Sequence, residues 1–191
     1  MEDEHRIDLL ARLARSASPQ GKAVDPAQPV SILSLAAASY GARPSEDATV
    51  PTGFDPLAVA LFEAIVEGAY LVATADGVFD EAERKIFERV VLAACSGTVP
   101  PQHISSLVSD LGDQLAEDGL DRRIAAVART ATKREHADEV LRIAALLAQA
   151  SEDVSQVERD VLVKIAKQCN LAPGAVDEAL ADVKKALAGN R

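Results

Sequence analysis

The stretch "ATADGVFDEAERKIFERVV", residues 73–91, carries four carboxylates before its first base: Asp76, Asp80, Glu81 and Glu83. Converging carboxylates suit a hard divalent cation such as Ca²⁺ or Mg²⁺, which takes several oxygens at once. Asp76, Asp80 and Glu81 supply such oxygens if the loop folds inward. The spacing is not that of an EF-hand. A loop counted from Asp76 puts Val78 at the third position, Phe87 at the bidentate position and Gly77 at the second. A weak, partly hydrated site is the most this pattern allows. The same residues also suit a structural task. Asp80 and Glu83 make Asp-x-x-Glu, a capping box in which the first side chain accepts from the amide three residues on and the glutamate reaches back. Glu81 then sits near the positive end of the helix dipole. Asp76 is left to bond loop amides as an Asx-type turn.

Other chemistry-bearing residues are few. Cys95 and Cys169 fall on apolar helical faces and read as reduced core residues. His5, His103 and His136 show no ligand spacing; His103 reads as a first-turn residue and His136 as an exposed helical one. The chain has no His-Glu-x-x-His, no phosphate loop and no Gly-x-Ser-x-Gly, and its core helices lack the Glu-x-x-His of di-iron bundles. An enzyme is therefore not expected.

The elements that carry the acidic loop are helical. Residues 3–15 read as a short amphipathic helix with Ile7, Leu10, Leu13 and Ala14 on one side. Residues 16–55, broken by Pro19, Pro26, Pro29, Pro44 and Pro51, read as a mobile linker. Its apolar patch from Val30 to Tyr40 reads either as a loosely ordered helical turn or as a segment that docks back on the domain or on a partner. From residue 56 the helical period takes over. A first helix ends at Asp76-Gly77, and a second begins at Asp80. Others follow from Pro100-Pro101, over 120–131, from a Thr132/Glu135 capping box to Ala150, from Ser155 to Cys169, and with Pro173 in the first turn of the last. Glu63 and Glu67 read as a solvated face.

The chain also repeats itself. Slid by 75 residues, Ile65 falls on Val140, Leu71 on Leu146, Asp80 on Ser155, Glu83 on Glu158 and Ile86 on Val161. Agreement across the loop and cap, as well as along apolar stripes, marks two related helical hairpins around one core. The expected fold is all-α: a bundle of about seven helices over 56–191, built on these hairpins, preceded by a short helix (1–15) and a linker (16–55). Small aliphatic residues dominate and aromatics are only 3%, which favours close helix packing. A formal charge of −10 argues against nucleic acid and anionic lipid, and for cations or basic protein partners. The N-terminus has no secretory pattern and "PVSILSLAAASYG" is too short to span a bilayer, so a cytoplasmic location without a transmembrane segment is expected.

"AYLVATADGVFDEAERKIFERVV" resembles the core motif of the tellurite-resistance TerB family, and "RIAALLAQASEDVSQVERDVLVKIAKQCNLAPGAVDEAL" is similar to its second half. Together they span about residues 56–188. The resemblance implies a non-enzymatic TerB-like bundle linked to tellurite resistance and stress response, with metal-ion binding and peripheral membrane-associated protein complexes proposed for the family. Its acidic positions fall here on Asp76, Asp80, Glu83 and Glu158. Where the family often has a second Asp-Gly-like turn, this chain has Ser151-Glu152. Two functional expectations follow. One is a domain that binds a divalent cation (Ca²⁺ or Mg²⁺), a protein partner or both, through Asp76, Asp80, Glu81, Glu83 and Glu158. The other is a structural adaptor that needs no ion.

Overall fold

The computed structural model describes residues 2–16, 30–42, 54–77, 79–149 and 154–189. Among them lie nine helices and no strand: α1 (Glu2–Arg15), α2 (Ile32–Gly41), α3 (Pro56–Ala73), α4 (Glu81–Ala94), α5 (Pro101–Asp118), α6 (Leu120–Thr130), α7 (Arg134–Ala148), α8 (Gln156–Gln168) and α9 (Ala175–Ala188). The all-α bundle expected from the periodicity is what forms, and its seven expected helices are α3–α9. At its centre α3 packs along α7. The two cross so closely that a methyl on Gly68 would lie 2.7 Å from Val140 Cγ1. α3 is long and apolar enough to cross a membrane, yet here it is the core helix, with α2, α6 and α7 laid against it.

The segment read as a linker holds a core helix at its middle. In α2, Leu33, Ala36, Ala37 and Tyr40 are buried, and the helix packs on α3 with further contacts to α1 and α7. The Tyr40 ring lies 4.5 Å from that of Phe62, and its hydroxyl donates to the His103 carbonyl at 3.4 Å. A helical turn or a docked segment was expected here, and the structure shows both in one: a ten-residue helix whose flanking prolines break the periodicity without saying what it packs against. Residues 17–29 and 43–53 of that segment lie outside the described residues. Two local expectations also change. Thr132 and Glu135 do not cap α7, whose N-cap is Lys133 with no side-chain hydrogen bond. Pro173 precedes α9 rather than opening it, because Gly174 takes the N-cap position at φ 92°.

The duplication reaches further than the two hairpins. α1 packs on α4 and on α7; α6 packs on α8 and on α3. Exchange α3 with α7 and α4 with α8, and α1 takes the place of α6. The sequences agree once the shift is lengthened: Arg6, Ile7, Ala11, Arg12 and Ala14 fall on identical residues at Arg123, Ile124, Ala128, Arg129 and Ala131. An ion pair is duplicated too. Glu4 meets Arg89 of α4 at 3.7 Å, and Asp121, its counterpart on α6, meets Lys164 of α8 at 2.9 Å. Each unit is thus four helices, α1-α3-α4-α5 and α6-α7-α8-α9, and α2 belongs to a segment inserted in the first.

If α2 belongs to the core, crowding it must cost stability. A Cβ on Gly41 would overlap the Thr98 carbonyl oxygen, a backbone atom that cannot swing aside. We expect Gly41→Ala to lower unfolding free energy by about 1–3 kcal/mol, while Leu35→Ala, exposed on the same helix, stays within about 0.5 kcal/mol. Urea unfolding of the two variants checks this; equal, negligible effects would return α2 to a linker.

Candidate functional site

The acidic corner joins α3 to α4. Thr74 closes α3, its hydroxyl donating to the Tyr70 carbonyl at 2.9 Å. The Gly77 amide donates to the Thr74 carbonyl at 3.0 Å, and Gly77 has the positive φ, 81°, that the turn requires. Phe79 then tucks beneath the corner. Its ring meets Tyr70 and Phe87 edge-on at 5.3 and 6.0 Å, and those two meet each other at 6.1 Å. The chain has six aromatic side chains, and half of them are in this trio. Edge-to-face packing of this kind holds the corner from the core side.

The carboxylates are placed as caps. Asp80 Oδ1 accepts from the Ala82 and Glu83 amides at 2.8 and 2.9 Å, and Glu83 Oε2 accepts from the Asp80 amide at 2.9 Å. Glu81 pairs with Lys85 one turn on, at 3.3 Å. Asp76 is exposed on the turn. At the second corner Ser155 accepts from the Glu158 amide at 3.2 Å, and Glu158 accepts from the Ser155 amide at 2.8 Å. The structure therefore brings Asp80 and Glu83 together, and places Glu158 in a separate cap on α8. Among the described residues no group of three or more His, Cys, Asp and Glu side chains converges as metal ligands. Val78, Ser151, Glu152 and Asp153 lie outside those residues.

Two polar clusters inside the bundle escaped the periodicity. Glu67, read as solvated, is buried, and accepts from Arg123 of α6 at 2.6 Å; Arg123 also reaches Asp118 at 3.0 Å. Glu139 and Arg142 of α7 form the second. Glu139 Oε1 accepts from the Leu33 amide of α2 at 3.0 Å. Arg142 bonds Glu139 at 2.8 Å and donates to the Leu13 and Ala14 carbonyls of α1 at 3.0 and 3.1 Å. A signal for both was present. Glu67 is the lone charge in "AIVEGAYLV" and Arg142 the lone charge in "VLRIAALLA", and the 75-residue shift sets one on the other. A charged side chain is almost never fully buried without a partner, and both of these have one. Both clusters hold helices together. Cys95 is likewise inert: burial pushes its thiol up to about 12.

Burial also pushes the Glu67 carboxyl up from its ordinary 4.5, and the Arg123 hydrogen bond and charge pull it only part of the way back. A folded-state value above the unfolded one means that the native state holds its proton more tightly. The stability this group contributes is then full below the unfolded value and is lost as pH rises through the folded one. We expect the stability difference between wild type and Glu67→Gln to fall as pH is raised from below 4.5 towards neutrality. Urea titrations at stepped pH read it, and a flat difference would contradict the assignment. Comparison with protein families, curated proteins and solved structures gives no match to this chain.

Proposed function

We propose that the chain is a non-enzymatic, TerB-like interaction adaptor in which a rigid duplicated bundle holds protein partners and no ion is required. The observation that carries this reading is the use of the acidic residues. Asp80, Glu83 and Glu158 each accept a main-chain N–H within a capping box, and Glu81 faces Lys85. Moving the capping carboxylates onto a cation would uncap two helices, at about 1 kcal/mol each. An exposed, hydrated Ca²⁺ site assembled from what remains would return little of that. The acidic balance, −10 overall, and the resemblance over residues 56–188 both fit an adaptor in a stress response such as tellurite resistance. They fit a cytoplasmic setting with basic protein surfaces as partners, peripheral membrane complexes among them.

Titration of the full chain with Ca²⁺, Mg²⁺ and Zn²⁺, by calorimetry and amide NMR beside Asp76→Ala, tests it. We expect no saturable shift at residues 76–83, and Asp80→Ala to lose about 1 kcal/mol of stability equally with and without Ca²⁺. A saturable shift that Asp76→Ala removes would replace the adaptor with a cation-binding domain.

A further inference from the structure

A cleft of about 180 Å³ opens between α7 and α9 at the end of α1. Its floor is aliphatic: Leu13 from α1, Leu141 and Leu146 from α7, Ala179 and Val183 from α9. Drug-sized ligands fill sites of about 300–1,000 Å³, so this cleft takes one or two aliphatic side chains rather than a small molecule. Its charges are unevenly engaged. Arg134 is paired with Asp138 at 3.0 Å. Arg142 is held by Glu139 and the α1 carbonyls. Glu178 and Asp182 stand one turn apart on α9 at the cleft, both exposed, and among the described residues their side chains have no hydrogen bond or ion pair. Both bases are therefore engaged, and two free carboxylates border an apolar slot.

We propose that this cleft docks a basic amphipathic helix of a protein partner. One or two of the helix's aliphatic side chains enter the slot, and its flanking Lys or Arg residues meet Glu178 and Asp182. Apolar insertion supplies the affinity, and the carboxylates set orientation and exclude acidic helices. The proposal rests on the adaptor reading and adds to it a place and a partner chemistry.

The probes are a synthetic helical peptide with Leu and Ala on one face and Lys on its flanks, and the same peptide with Glu for Lys. Each is titrated into the isotope-labelled full chain. We expect the Lys peptide to move amides within 134–146 and 175–186, to bind roughly tenfold more weakly when salt is raised from low to high, and to be preferred over the Glu peptide. Glu178→Lys combined with Asp182→Lys, exposed changes that leave the core intact, reverses that preference, and Ala179→Leu fills the slot and weakens both. Binding of neither peptide, or equal binding of the two, overturns the proposal. So does self-association that these variants abolish, because the occupant is then a second copy. Shifts confined to another face overturn the cleft but leave the adaptor reading standing, whereas a cation requirement at residues 76–83 removes the adaptor reading itself.

Discussion

Glu139 and Arg142, three residues apart on α7, hold the N-terminal helices onto the bundle. The end of a helix leaves carbonyls without intrahelical partners, and the start of one leaves N–H groups. Arg142 donates to the Leu13 and Ala14 carbonyls where α1 ends, and Glu139 accepts from the Leu33 amide where α2 begins. One ion pair thus satisfies two helix termini from different parts of the chain. Each charge is also the other's partner at 2.8 Å, so neither is buried alone. Removing one would strand the other in an apolar setting, which costs far more than the intact pair contributes. Arg6 and Arg15 extend the pattern, donating to the carbonyls of Gln149 beyond α7 and Ala93 in α4.

The duplication explains where these charges fall. Glu67 and Arg142 occupy matched positions on the two central helices, and each faces the first helix of the other unit: Glu67 meets α6, and Arg142 meets α1. The matched sites carry opposite charges and answer different needs. Glu67 has a cationic side chain in front of it, whereas Arg142 has bare carbonyls. Because α1 and α6 each pack on helices of both units, neither unit closes its core alone. That shared core makes the chain one body.

The acidic corner shows how one residue pattern suits two chemistries. A carboxylate at an N-cap and one aimed at a cation look alike in sequence. They differ in whether the side chain turns back onto its own helix. At Asp80 and Glu83 it does, and the Tyr70–Phe79–Phe87 cluster fixes the corner from the core side.

Helix identity and both hairpin caps were legible in the sequence because they rest on local physics. A 3.6-residue apolar period marks a buried stripe, and Asp-x-x-Glu or Ser-x-x-Glu completes its bonds within one turn. The 75-residue repeat was legible for the same reason, since it joins like local patterns. What α2 does, where Glu67 lies and which helix Arg142 serves were not local questions. α2 is helical in its own ten residues, but only the nearness of α3 and Thr98 makes it core. Glu67 sits on a face that periodicity alone leaves undecided, and only the arrival of Arg123 from α6 makes its burial tolerable. The relation of α1 to α6 was written in matching residues but displaced by the segment that carries α2. Tertiary packing decided these points, because burial, and the pairing that burial demands, depend on which distant surfaces meet.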